Sequence, residues 1–102
     1  MKKAVRMTVF PDKHEEYKKR HDELWPEMKD MLANHGCTSY TIWLDEKTST
    51  LFGYLEIEDE VLFAKTADTE INRKWWDYMV DVMDTHPDNS PVSVDLINVF
   101  EL

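Results

Sequence analysis

The sequence predicts an α+β fold of the ferredoxin-like type, a split βαβ arrangement in which helices cover one face of an antiparallel sheet. The first observation behind this prediction is the length of 102 residues, which suits a single domain spanning residues 1–102. The second is the order of the hydrophobic patterns, which runs strand, helix, strand, strand, helix, strand.

The first strand and the first helical region are predicted from two periodicities. Residues 3–10 alternate, with Val5, Met7 and Val9 on one face. Residues 11–36 carry large side chains at steps of three and four, the pattern of a helix with one apolar stripe.

Three local signals mark the limits of this helical region. Asp12 precedes Glu15 by a capping-box spacing, and Gly36 is placed to end the region. Pro26 lacks a backbone donor and crowds the turn before it. We therefore expect a break around residues 22–26 and a second helix starting near Pro26.

A hairpin and a second helical region come next. Residues 38–45 and 50–57 are rich in β-branched and aromatic residues and are separated by "EKTS", which predicts two paired strands. From Glu58 to about Met83 the pattern is helical in two pieces, and Asp68 or Thr69 could cap the longer piece.

Residues 92–100 complete the sheet as the predicted closing strand. This strand and both hairpin strands have apolar residues of either parity, so helices on one face would leave a large apolar patch on the other. A second copy of the chain is the simplest cover. We therefore expect a homodimer whose two sheets face each other, which is a dimeric α/β barrel.

Composition limits the location and the partners. Twelve Lys and Arg against 21 Asp and Glu give a formal charge of -9, which disfavours nucleic acid and anionic membrane surfaces as partners. The N-terminus lacks the apolar core of a signal peptide, and no run approaches the roughly 20 apolar residues of a membrane span. The single cysteine, Cys37, suits a reducing compartment. These features predict a cytoplasmic protein.

Tyr17 and His21 are the first candidates for chemistry because they are neighbours on one helix face. An imidazole both gives and takes a proton near neutral pH, so the pair could act in a cleft between helix and sheet. The alternative is a buried histidine that bonds a backbone carbonyl with the tyrosine packed beside it. The basic run of residues 18–20 is interpreted as a solvated face.

The sequence "NRKWWDYM" places two tryptophans side by side in a predicted helix. Neighbours in a helix point about 100° apart, so one narrow stripe cannot bury both rings. Trp75 belongs to the core stripe, whereas Trp76 lies at its edge with Asn72. Trp76 could therefore line a cavity for a partly apolar, partly hydroxylated ligand such as a sugar, or it could cover the core edge or a dimer contact.

Other classes of site have weak support. The four histidines, at positions 14, 21, 35 and 86, include no H-x-H or H-E-x-x-H spacing, so no metal site is predicted. The acidic residues form no recognisable pair for glycoside hydrolysis. With only two glycines there is no phosphate-binding loop, and no nucleotide cofactor is expected.

Four motifs together, "HEEYKKRHDELWPEM", "HGCTSYTIWLD", "RKWWDYMVDVM" and "HPDNSPVSVDL", resemble the L-rhamnose mutarotase family nearly from end to end. The resemblance implies a homodimeric, cofactor-free cytosolic enzyme that interconverts the α and β anomers of L-rhamnose. It also implies that His21 is the catalytic proton donor. The substrate-binding residues that it implies are Tyr17, Tyr40, Trp75 and Trp76. The loop of residues 86–91 departs from the family pattern. It begins with His86, whereas the family pattern begins this loop with asparagine.

The reaction implied by the resemblance needs an acid at the ring oxygen and a base at the C1 hydroxyl. His21 is assigned the first role, and the base is left open among a carboxylate, a tyrosine and water. Two other functions suit the same cleft. One is that of a cofactor-independent monooxygenase of the dimeric α/β-barrel type, and the other is that of a dimer that binds a small ligand without turnover.

Overall fold

The helices and strands follow the predicted order along the chain. A computed structural model describes residues 1–102. Its elements are β1 (Lys2–Thr8), α1 (His14–Asp22), α2 (Pro26–Asn34), β2 (Cys37–Asp45), β3 (Thr50–Ile57), α3 (Glu60–Ala64), α4 (Glu70–Met79) and β4 (Val94–Asp95), with a 3₁₀ turn, Lys65–Asp68, between α3 and α4. The four strands form one antiparallel sheet in the order β2-β3-β1-β4. The predicted ferredoxin-like, antiparallel architecture is confirmed.

The core lies between the helices and one face of the sheet. Thirteen buried hydrophobic side chains form it, and the alternating residues Val5, Met7 and Val9 are among them as predicted. Leu51 and Leu55 of β3 share this face because β3 pairs in register with β1. The partner strand β2 is less covered by helices, so its Tyr40 and Leu44 stay partly exposed on the same side.

The break at Pro26 is confirmed. Helix α1 ends at Asp22, Trp25 is extended with φ −61° and ψ 136°, and Pro26 is the first residue of α2. Proline suits this position because the first N–H groups of a helix have no partner within it. The second predicted end is also confirmed, since Gly36 follows α2 with φ +81°.

The prediction that Asp12 caps α1 is wrong. Of the two residues predicted as possible caps of α4, Asp68 and Thr69, the second is confirmed. The N-cap of α1 is Lys13 and no side chain caps this helix. Asp12 is used in a turn instead, in which the Lys13 N–H donates to the Phe10 carbonyl at 2.9 Å. Thr69 caps α4, since its Oγ1 accepts from the Asn72 N–H at 3.3 Å.

The closing strand is much shorter than the predicted residues 92–100. Only Val94–Asp95 pairs with β1, and the Leu96 N–H adds one bond to the Ala4 carbonyl at 2.9 Å. Beyond Leu96 no residue pairs with β1, and the Asn98 side chain instead accepts from the Phe100 N–H at 3.0 Å. Such side-chain turns compete with strand pairing, which explains the overprediction.

The second face of the sheet is bare in the single chain, as the pattern of the strands predicts. It exposes Trp43, which is 57% accessible, together with Phe52, Val94 and Leu96. The C-terminal residues 97–102 add further exposed apolar side chains beside it. None of the helices has the length and hydropathy that a bilayer span requires.

Candidate active site

A large cavity lies where the helices leave β2 partly uncovered. Its volume is about 880 Å³, within the range of ligand pockets, and 15 of its 24 lining residues are hydrophobic. All five residues proposed from the sequence line this cavity, namely Tyr17, His21, Tyr40, Trp75 and Trp76. Apolar side chains of α2, β2 and α3 add to the wall, among them Met28, Leu32, Ile42 and Phe63.

Helix α1 brings Tyr17 and His21 together on one face. Their rings stack with centroids 4.3 Å apart, and Tyr17 is only 7% exposed. His21 Nδ1 lies 3.0 Å from the Tyr17 carbonyl oxygen. The sequence left open whether this histidine bonds a backbone carbonyl or faces a cleft, and the structure has both features at once.

Helix α4 supplies the two tryptophans, and their predicted division between core and rim is confirmed. Trp75 is 8% exposed and belongs to the core. Its ring meets the His21 ring edge-on, with centroids 5.3 Å apart and planes at 89°, and it packs at 5.1 Å against Trp25. Trp76 is half-buried at the edge of the core and also lines the cavity. Both rings therefore contribute to its apolar wall.

Burial favours the uncharged forms of His21, Tyr17 and Tyr40 in this wall. It lowers the pKa of His21, against weaker opposing effects of the Tyr17 carbonyl and of the Asp22 carboxylate. Burial also raises the pKa of Tyr17 above the usual range of a phenol, and it raises the pKa of Tyr40 to about 12. Although 41% of Tyr40 is accessible, its hydroxyl end lies over Gly53 at the inner side of the strand. Both tyrosines are therefore neutral hydrogen-bonding groups at pH 7.

Arg20 links α1, which carries Tyr17 and His21, to the C-terminal end of α4, which carries the two tryptophans. Its guanidinium donates to Asp81 at 2.7 and 3.2 Å, to Glu16 at 2.8 Å and to the Tyr78 carbonyl at 2.6 Å. The hydrogen bond from Arg20 lowers the pKa of Asp81. Only 11% of the Arg20 side chain is exposed, so its interpretation as part of a solvated basic face is wrong. The α1 face bearing His21 is thereby held against the end of α4.

Asn72 is a cavity residue that was not among the candidates from the sequence. Its Nδ2 donates to the Thr66 carbonyl at 3.1 Å, which fixes the amide, while Oδ1 has no hydrogen-bond partner in the chain. The signal was present, because Asn72 lies one helical turn before Trp76 on the same edge of the stripe. His86 does not line the cavity, although Pro91 from the same loop does.

The comparisons with known proteins agree with this geometry. Residues 2–102 match the sequence model of the L-rhamnose mutarotase family. An L-rhamnose mutarotase of Lachnoclostridium phytofermentans is 57% identical over 102 residues, covering 100% of this chain and 98% of the relative. The crystal structure of L-rhamnose mutarotase from Formosa agariphila superposes with a TM-score of 0.92 at 41% identity, covering 100% of this chain and 98% of that one.

A more distant likeness concerns the fold alone. A putative antibiotic biosynthesis monooxygenase from Nitrosomonas europaea has a TM-score of 0.65 at 16% identity, with 97% of this chain and 89% of that one covered. The similarity to mutarotases extends over the whole sequence, including every motif that carries a candidate site residue. The chain belongs to the L-rhamnose mutarotase family.

Proposed function

We propose that the chain is an L-rhamnose mutarotase, an isomerase that interconverts the α and β anomers of L-rhamnose. The observation that carries this proposal is the cavity in which an imidazole and two phenols face an aromatic wall within a chain of this family. A pyranose has apolar C–H faces and hydroxyls around its edge, which suits such a wall. The reaction requires proton transfers only, and the cavity supplies an imidazole for them.

Anomer exchange proceeds through opening of the hemiacetal. The C1 hydroxyl loses a proton, the bond from C1 to the ring oxygen breaks, and the ring oxygen gains a proton. The resulting aldehyde rotates and the ring closes on its other face. We assign His21 as the proton donor to the ring oxygen, because its ring is oriented by the Tyr17 carbonyl and lines the cavity.

The other four candidate residues bind the sugar in this proposal. Tyr17 and Tyr40 hydrogen-bond to hydroxyls as neutral phenols, since burial raises the pKa of each. Trp76, and the accessible edge of Trp75, pack against the C–H face of the ring. The many apolar side chains of the cavity suit the methyl group at C6 of a 6-deoxy sugar.

The proposed function is tested by measuring anomer exchange of L-rhamnose with saturation-difference NMR. Catalytic amounts of the protein are expected to raise the exchange rate well above that of buffer, and more for L-rhamnose than for other aldoses. A sugar that binds without faster exchange would indicate a binding protein. Oxygen uptake with a polyphenol, in place of exchange, would indicate a monooxygenase.

Removing the fixed amide of the cavity is expected to weaken sugar binding. Asn72→Ala deletes the unpartnered Oδ1, while the Thr66 carbonyl keeps the Thr69 hydroxyl and N–H as donors at 2.8 and 3.2 Å. One hydrogen bond is worth about 0.5–1.5 kcal/mol, so KM should rise roughly 2- to 12-fold with kcat nearly unchanged. Steady-state exchange kinetics check this, and an unchanged KM would remove Asn72 from the binding site.

We further propose that two copies associate through their bare sheet faces in the cytoplasm. The exposed Trp43, Phe52 and Val94 would be buried by this contact. Sedimentation is expected to give twice the mass of one chain, and Phe52→Glu should shift the protein toward the monomer. Val61→Glu is the matched control, since Val61 is 71% exposed but lies on α3. A wild-type protein of single-chain mass would contradict the proposed dimer.

A further inference from the structure

The hydrogen bond of His21 determines which of its nitrogens is free to react. Nδ1 lies 3.0 Å from the backbone oxygen of Tyr17, and a carbonyl oxygen can only accept. Nδ1 therefore carries a hydrogen. In the neutral imidazole Nε2 then has a lone pair, and it has no hydrogen-bond partner within the chain.

We propose that this one nitrogen is both the base and the acid of the reaction. Nε2 of His21 takes the proton of the C1 hydroxyl and then delivers it to the ring oxygen. This inference rests on the proposed mutarotase function and supplies the base for which no separate group was assigned.

The proton transfers balance without a second catalytic group. Nε2 removes the proton from O1, the electron pair of O1 forms the carbonyl at C1, and the bond from C1 to the ring oxygen breaks. The ring oxygen takes the proton back from Nε2, which leaves the imidazole neutral. Both oxygens are bonded to C1, so one nitrogen can serve them with a small shift. Closure on the other face repeats the steps in reverse order.

The tyrosines and carboxylates of the cavity are less suited to be the base. Tyr17 and Tyr40 hold their protons more tightly than ordinary phenols. The Asp22 carboxylate is exposed and accepts from Lys18 Nζ at 2.7 Å. Two further carboxylates that line the cavity, Glu15 and Glu46, are also exposed.

The groups that surround His21 define the pH dependence. Helix α1 contributes His14, Glu15, Tyr17, Lys18 and Asp22 to the cavity, β2 contributes Tyr40, and the hairpin loop contributes Glu46. Helices α2 and α4 present only uncharged side chains to it. Burial of the ring outweighs the Asp22 carboxylate, so the pKa of His21 lies below its ordinary value of 6.5 and the base form predominates at neutral pH.

The test is the pH profile of kcat/KM for L-rhamnose exchange in the wild-type protein. If neutral His21 is the base, kcat/KM is flat from pH 7 to 9. As the pH is lowered, kcat/KM falls tenfold per pH unit once the pH is below the pKa of His21, which lies under 6.5. If His21 acts only as an imidazolium acid beside a separate base, kcat/KM falls as the pH rises above that midpoint. The second profile would overturn the inference.

Four variants identify the group responsible. His21→Asn keeps a donor for the Tyr17 carbonyl but lacks Nε2. Most of the activity should therefore be lost, and the fall of kcat/KM at acid pH should disappear with it. His14→Gln removes the other cavity histidine, and His35→Gln removes a histidine with the same Nδ1 bond, at 2.8 Å to Met31, outside the cavity. Both of these variants should keep the fall of kcat/KM at acid pH. Asp22→Asn should retain most activity, and a loss as large as that of His21→Asn would assign the base to this carboxylate.

Failure of this inference can be distinguished from failure of the function. A protein that never accelerates exchange at any pH contradicts the mutarotase proposal itself. Fast exchange that declines on the alkaline side contradicts only the role of Nε2 as the base.

Discussion

Replacing His21 with asparagine is expected to lower the rate constant of catalysed anomer exchange by about 10²–10⁴-fold, the usual contribution of a positioned acid or base. This corresponds to roughly 3–5 kcal/mol of transition-state stabilisation. The loss should approach the upper limit if Nε2 serves both proton transfers, because no second group then remains to assist. Saturation-difference NMR with L-rhamnose measures it directly.

The fold of this variant should be unaffected. Asparagine retains an N–H for the Tyr17 carbonyl, and the His21 ring lies at the cavity wall and outside the buried core. Thermal unfolding followed by circular dichroism should therefore match the wild type within a few degrees. Near-normal exchange in a folded His21→Asn protein would exclude this residue as the catalytic group.

Truncation of Trp75 to alanine should lower the free energy of unfolding by about 3–5 kcal/mol. The ring is 8% exposed and packs against Trp25, Tyr78 and His21, so its removal leaves a cavity where three rings meet. A domain of this size has a total stability of only about 5–15 kcal/mol. Urea unfolding measures the loss, and Trp75→Phe should lose less because it keeps one aromatic ring in place.

Trp76 provides the matched control for this prediction. Because its ring is only half-buried, Trp76→Ala should lose less stability than Trp75→Ala. Its effect should fall on sugar affinity, about 1–2 kcal/mol or roughly 5- to 30-fold in Kd. Equal losses of stability in the two variants would contradict the division between core and rim, and an unchanged Kd would return Trp76 to a structural role.

Most elements of the fold could be predicted because their signals are local. Alternation predicted the burial of one face of β1, and Pro26 predicted the break before α2. The position of Trp76 at the edge of the core followed from its 100° offset from Trp75. The same helical spacing brought Tyr17 and His21 together on α1.

The features that the sequence did not predict depend on contacts between residues far apart in the chain, or on side-chain hydrogen bonds that compete with strand pairing. Arg20 and Asp81 are 61 positions apart, so nothing in a basic run on a helix indicates that one of its members is buried in an ion pair. The bond from the Phe100 N–H to the Asn98 side chain lies in a segment whose alternation favoured a strand. The free nitrogen of His21 depends on a single hydrogen bond whose geometry no residue pattern specifies.

The burial of three ionisable rings in one wall also contributes to the pH dependence of the stability of the fold. Below about pH 6.5 the unfolded chain protonates the imidazole before the folded protein does, so stability falls as acid is added. Above about pH 10 the unfolded chain ionises its phenols first, and stability falls again. The apolar wall that would hold a sugar therefore makes the native state sensitive to both acid and alkali, with a plateau between the two limits.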